Sequence, residues 1–233
     1  MFTAAIFDMD GLLLDSERAI MQAWLSSAQE ERLTLSAPDF LQVVGCGAQE
    51  SRERLSKLLG GPGSFQRVRD RARAKLAVHP GVVFPLKPGA LRLLGLLRAR
   101  GVPCAVASST FIDEVRCRLA KVGVLDYFQA LAGGDEVSRS KPEPDIYLLA
   151  AERLGVPPLR CLAFEDSDHG ARAAHGAGLR VVIVPDLKAR EFDAAYMQLS
   201  SLEEAVTHLD RWFSAAFARP RGAVIVAADG TAR

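Results

Sequence analysis

The stretch Ala4-Ala5-Ile6-Phe7-Asp8-Met9-Asp10-Gly11, followed by Leu12-Leu13-Leu14-Asp15-Ser16, decides how the chain is read. Its apolar start is long enough for a buried strand over about residues 3–8, and Gly11 permits a sharp change of direction after the second acid. Residues two apart along a strand point the same way, so Asp8 and Asp10 can converge on one site at its C-terminal end. Such a pair suits one carboxylate as nucleophile or metal ligand and the other as proton donor and acceptor. An isolated Asp-x-Asp is more often a turn or a cap, so its meaning rests on the residues downstream.

After Asp15 the pattern turns helical until about Pro80. Ser16 reads as an N-cap, with Ile20, Ala23 and Trp24 at helical spacing, Trp24 as a packing residue. Further helices are expected over residues 37–44, 48–59 and 64–78, with a break at Gly60-Gly61-Pro62-Gly63. From Pro88 helices and strands alternate. A leucine-rich helix over 90–100 stops at Gly101. A strand over 104–108 leads to a helix over 110–119, which Thr110-x-x-Asp113 would open as a capping box. A helix over 144–154 starts at Pro144. A strand over 161–164, a helix over 167–177 and a strand over 181–184 come next, then a helix over 201–217. Short, wholly apolar strands separated by helices predict a parallel sheet covered on both faces. The expected fold is therefore α/β, a Rossmann-like three-layer core (residues 1–15 and 81–218) with an inserted helical cap (16–80). Residues 219–233 form a tail in which 223–227 would be an edge strand or disordered.

A chain of 233 residues suits this organisation, and a formal net charge of +1 gives no reason to expect nucleic acid as a partner. No apolar run has the length of a membrane span, and the N-terminus lacks the basic segment of a signal peptide. Cys46, Cys104, Cys117 and Cys161 are scattered and read as free buried thiols of a reducing, cytoplasmic compartment. Nothing in the sequence sets the oligomeric state; a monomer is the default expectation.

In open parallel sheets the active site lies outside the carboxyl ends of the strands. The first strand ends in Asp8-x-Asp10, the second in Ser108-Ser109 before a helix, and another in Glu165-Asp166-Ser167 before a helix. Lys141 precedes Pro142-Glu143-Pro144 and the helix after it. The acids suit a hard divalent cation, Mg²⁺, held by Asp8, the carbonyl of Asp10 and Asp166, with Glu165 a direct or water-mediated ligand. Ser108, Ser109 and the free amides after them suit an anion, and Lys141 offsets its charge.

The segments Phe7-Asp8-Met9-Asp10-Gly11, Val106-Ala107-Ser108-Ser109, Ser140-Lys141-Pro142-Glu143-Pro144-Asp145 and Phe164-Glu165-Asp166-Ser167-Asp168-His169-Gly170 resemble the haloacid dehalogenase superfamily. They match the helical-cap branch of β-phosphoglucomutase-like proteins and sugar-phosphate phosphatases, over about residues 1–208. The resemblance implies Asp8 as nucleophile, Asp10 as general acid and base, Ser108 and Lys141 as phosphate handlers and Asp166 with Glu165 as the magnesium site. The cap would close over substrate and exclude water. Haloalkanoate dehalogenases of this superfamily lack the second aspartate and need no metal, so Asp10 and Glu165-Asp166 favour phosphoryl transfer. The mutase-like relatives carry a histidine where this chain has Ile20, and basic residues around residues 43–48, where it has none. Those departures favour a phosphatase of small phosphomonoesters over a hexose-phosphate mutase. A non-catalytic phospholigand-binding regulator is the alternative of another class. Between Arg52 and Lys75, eight Lys or Arg face two acids, a pattern more typical of a solvated helix face than of an anion site.

Overall fold

The structure is a computed structural model and describes residues 1–44, 48–78, 84–187 and 192–213. Its strands are β1 (Ala4–Phe7), β2 (Cys104–Ala107), β3 (Ala130–Ala132), β4 (Cys161–Glu165), β5 (Arg180–Ile183) and β6 (Met197–Gln198). They form one sheet in the order β3-β2-β1-β4-β5-β6, and every pair in it is parallel. After β3 the chain returns across β1 to place β4 on its other side. That reversal beside β1 is where a crevice opens at the carboxyl ends.

The strands are apolar throughout because both faces are covered. Ala5, Phe7, Val106, Leu162 and Phe164 face one cluster, and Ala4, Ile6, Ala105, Ala107, Ala163 and Ile183 face the other, the two-residue period of a pleated strand. On the first face lie α5 (Ala90–Ala99), α6 (Ile112–Lys121), α9 (Leu202–Ala205) and α10 (Leu209–Trp212). On the second lie α7 (Asp145–Leu154) and α8 (Asp168–Gly176). The result is the expected three-layer α/β core. Its small second-face residues, alanines above all, let α7 and α8 lie close to the sheet.

Between β1 and α5 come α1 (Glu17–Glu30), α2 (Ala37–Leu41), α3 (Ala48–Leu58) and α4 (Pro62–Val78). These helices have their own apolar cluster around Ala28, Phe40, Leu55, Leu59, Phe65 and Val68. Trp24 packs there, its ring 5.6 Å from Phe65 and 6.2 Å from Phe40, and Ile20 joins the same cluster. Most of the basic residues between Arg52 and Lys75 are neutralised inside this bundle. Arg67 and Arg71 pair with Glu31, Lys75 with Glu30, Arg69 with Asp70 and Arg54 with Glu50, as a solvated helix face would.

Where the chain leaves and re-enters the core, Asp15 N–H donates to Pro85 O and Lys87 N–H to Leu13 O, both at 2.8 Å. Asp186, after β5, accepts from Arg18 on the outgoing segment at 3.1 Å and from Lys87 on the returning one at 2.5 Å. One carboxylate thus ties both crossings to the core.

Several elements differ from the sequence expectation. β3 and β6 were not expected: three residues of mixed Ala and Leu and a two-residue edge strand carry almost no periodicity. α4 begins at Pro62, inside the expected break, since proline is pre-organised for a first turn. The helix expected over 201–217 divides into α9, a 3₁₀ turn at Val206–His208 and α10. Cys104 and Cys161 are buried, but Cys117 is exposed, because α6 turns Val115 and Leu119 inward instead. The tail at 219–233, its strand at 223–227 and Cys46 lie outside the described residues.

Candidate active site

Asp8 directly follows β1, with its N–H donating to Phe164 O of the adjacent strand at 3.0 Å. Its carboxylate is nearly buried and accepts from Lys141 Nζ at 2.6 Å. The same ammonium donates to Glu165 Oε1 at 2.6 Å and to Ala107 O at 3.1 Å. Lys141 therefore uses all three of its protons on the ends of three neighbouring strands. Burial works against its charge, yet the Asp8 and Glu165 carboxylates outweigh burial and hold the lysine above its ordinary pKa. Lys141 is a fixed cation.

Glu165 is wholly buried at the end of β4, on the face covered by α7 and α8. Oε1 also accepts from Tyr147 Oη at 2.6 Å. Oε2 accepts the N–H of Asp166 at 3.1 Å and the N–H and hydroxyl of Ser167 at 3.3 and 3.1 Å. α8 approaches this carboxylate so closely that a Cβ at position 170 would stand 1.8 Å from Oε1, which requires Gly170. Burial and the Glu165 charge keep the Tyr147 phenol well above its ordinary pKa, so it remains a donor. Tyr147→Phe leaves a buried carboxylate short of one partner, a loss of about 2 kcal/mol. Thermal unfolding should show a melting temperature lower by about 4–8 °C; an unchanged value would mean that Lys141 alone satisfies Oε1.

Asp8, Glu165 and Asp166 each bring an oxygen to one place, all within 4.8 Å of one another. Burial, aided by Glu165, pushes the Asp8 carboxyl up to about 8 despite Lys141. Burial and the Asp8 and Glu165 charges hold Asp166 well above the carboxylate range. Three buried acids thus share one ammonium. Hard oxygen donors with excess negative charge fit a divalent cation. Gly11, at φ +85°, leaves the space: a Cβ there would sit 2.4 Å from Asp166 Oδ2.

Asp10 lies apart from that trio. Its Oδ2 accepts from Thr110 Oγ1 at 2.8 Å and its Oδ1 from Arg118 at 2.8 Å. Thr110 therefore does not cap α6. The expected capping box with Asp113 is absent, the N-cap position is Phe111, and Asp135 takes the Ile112 N–H at 2.8 Å. Ser108 is buried after β2, where Oγ accepts the Thr110 N–H at 3.1 Å, while Ser109 is exposed. Ser167 caps α8 by accepting the Gly170 N–H at 3.1 Å. His169 reaches toward Glu50 of α3 at 3.8 Å.

Asp8, Lys141, Glu165 and Asp166 are thus joined as one cluster, with Asp10 and Ser108 at adjacent strand ends. Sequence reasoning missed Tyr147, Thr110 and Arg118. Tyr147 and Arg118 carried no signal, and Thr110 carried a misleading one.

The parallel sheet thus carries an aspartate, a lysine and an acid pair clustered at its carboxyl end. The chain belongs to the haloacid dehalogenase-like hydrolase family, whose sequence pattern matches residues 2–178. It is similar to the protein CbbY of Rhodobacter capsulatus, 34% identical over 216 residues, 88% of this chain and 95% of that one. Hexitol phosphatase B of Escherichia coli K12 is 34% identical over 211 residues, 86% of this chain and 93% of that one. The crystal structure of CbbY from Rhodobacter sphaeroides in complex with phosphate matches with a TM-score of 0.73 at 29% identity, covering 90% of this chain and 100% of that one. Among the described residues, no helix is long and apolar enough to cross a membrane.

Proposed function

We propose that this enzyme hydrolyses small phosphomonoesters, sugar phosphates or close analogues, through a phosphorylated Asp8 and with Mg²⁺ as cofactor. The observation that carries the reading is the Lys141 ammonium 2.6 Å from both Asp8 and Glu165, beside a third buried acid. In the first step an Asp8 oxygen attacks phosphorus as the ester P–O bond breaks, and Asp10 gives a proton to the departing alkoxide. In the second, Asp10 takes a proton from water as its oxygen attacks the aspartyl-phosphate, releasing phosphate and restoring Asp8. Lys141 screens the like charges of nucleophile and phosphoryl group. Because Ser108 Oγ already accepts from Thr110, its own proton is available to a phosphate oxygen. Asp8, Asp166 and the Asp10 carbonyl would hold Mg²⁺, with Glu165 fixing the cluster. The ion would offset charge on the transferring group.

The helical insertion serves as the cap. A cleft of about 900 Å³ is lined by Arg52, Glu53, Ser56, Lys57 and Phe65 of the insertion and by Ser140, the residue before Lys141 in the chain. Its two cations, Arg52 and Lys57, suit an anionic substrate, with the acid Glu53 and the apolar Phe65 beside them. A mutase must hold its sugar phosphate while it reorients, and Ile20, packed into the insertion's core, offers no polar group for that task.

The test is a panel of sugar phosphates, phosphoglycolate and nucleotides, assayed in Mg²⁺ and in EDTA. Inorganic phosphate should appear only with Mg²⁺, and fastest from a sugar phosphate. Conversion of β-glucose 1-phosphate to glucose 6-phosphate without free phosphate would make the enzyme a mutase. Saturable binding with no turnover would make the chain a regulator.

A further inference from the structure

We infer that Arg118 is a positioning residue for proton transfer: together with Thr110 it clamps the Asp10 carboxylate by both oxygens in the orientation that serves the departing group. The inference rests on Asp10 acting as the general acid and base proposed above. Arg118 lies on α6, and Asp10 follows β1, 108 residues earlier in the chain. Their side chains are each about one-fifth exposed, so the pair borders the site instead of lying on the outer surface.

Three contacts hold the guanidinium still. It donates to Asp10 Oδ1 at 2.8 Å and to Glu114 Oε2, one helical turn back, at 2.9 Å. Its central carbon stands 5.1 Å from the ring centroid of Phe84, a buried residue of the segment returning from the helical insertion. Thr110 completes the arrangement on Oδ2 at 2.8 Å. A carboxylate offers about four lone-pair positions. One on each oxygen is taken, so the plane of the group is fixed while one position per oxygen stays open for a proton in transit.

Without the clamp Asp10 would turn among its rotamers under repulsion from nearby acids. Its charge is felt at Asp8. A misdirected acid cannot meet a leaving oxygen, because proton transfer needs a heavy-atom approach near hydrogen-bond distance. Thr110 forgoes its cap for this contact.

Two esters of similar shape and different leaving-group basicity provide the test: phenyl phosphate, whose phenolate needs a proton, and p-nitrophenyl phosphate, whose phenolate departs without one. The value of kcat/KM reports the step that expels the leaving group, whichever later step limits turnover. Arg118→Met keeps side-chain length and removes the donors. It should lower kcat/KM for phenyl phosphate about 30-fold, a part of the roughly 10²–10⁴-fold that a general acid contributes, and for p-nitrophenyl phosphate by less than about 3-fold. Arg118→Lys should recover part of the loss. Thr110→Val should repeat the same selectivity and serves if the methionine variant does not fold. Equal losses with both esters, or none, would overturn the positioning role. Wild-type enzyme inert toward both esters and toward the sugar phosphates in Mg²⁺ would overturn the hydrolase reading, and this inference with it.

Discussion

Asp8→Asn is expected to lower turnover of any phosphomonoester by about 10⁴-fold or more, the scale on which removal of a covalent nucleophile acts. The amide has nearly the same shape but cannot form the acyl phosphate. Acid quenching of wild type during turnover should trap a phosphoryl group on the peptide containing Asp8, and the variant should trap none. Comparable activity in the two proteins would show that another group attacks phosphorus. The same substitution carries a stability signature. In the metal-free protein the Asp8 carboxyl is pushed up to about 8 from a reference of 3.8, chiefly by burial and then by Glu165. Between those values the folded state holds more protons than the unfolded one, so stability falls as pH rises. The amide of the variant does not titrate and has no such dependence. In EDTA the variant should therefore gain on wild type in melting temperature between pH 5 and pH 8. A constant gap would mean that Lys141 fully compensates Asp8.

How much of this was legible in the sequence depends on where each interaction is encoded. β1, β2 and β4 are short apolar runs, each followed at once by its functional residues, so strand and site announce each other. β3 lacks such a partner, and β6 is too short to have a period. That Asp8, Asp10, Ser108, Lys141, Glu165 and Asp166 lie at the carboxyl end of the sheet was legible, because residue type at a strand end or loop marks each position. The groups that orient them were not. Tyr147 reads as a core aromatic on α7, and only its depth beside β4 gives the hydroxyl a carboxylate to meet. Arg118 with Glu114 reads as an i,i+4 surface pair. Its second partner is supplied by the tertiary fold. Thr110 shows the opposite failure, in which a sound local rule for capping is overridden by a stronger acceptor elsewhere.

The excess of negative charge at Asp8, Glu165 and Asp166 leads to a second large effect. Asp166→Asn should reduce Mg²⁺-dependent turnover on the order of 10³-fold, because a bound cation contributes several kcal/mol to charge stabilisation in such sites. A loss of activity alone would fit many causes, so the thermal behaviour matters more. In wild type, folding forces three acids around one ammonium, and a cation that binds only the folded state relieves this. At Mg²⁺ one hundred times its dissociation constant, linkage stabilises by about 2.7 kcal/mol. For a chain of this size that raises the melting temperature by about 5–10 °C. The Asp166→Asn substitution removes a carboxyl that burial and the neighbouring acids push well above its ordinary range, so the metal-free variant should melt above metal-free wild type. It should also gain little from Mg²⁺, because the attraction and one ligand are gone together. The two curves are therefore expected to cross as Mg²⁺ is added. If wild type and Asp166→Asn gained equally from Mg²⁺, the ion would be binding elsewhere, and the buried carboxylates would have to be satisfied by protons alone.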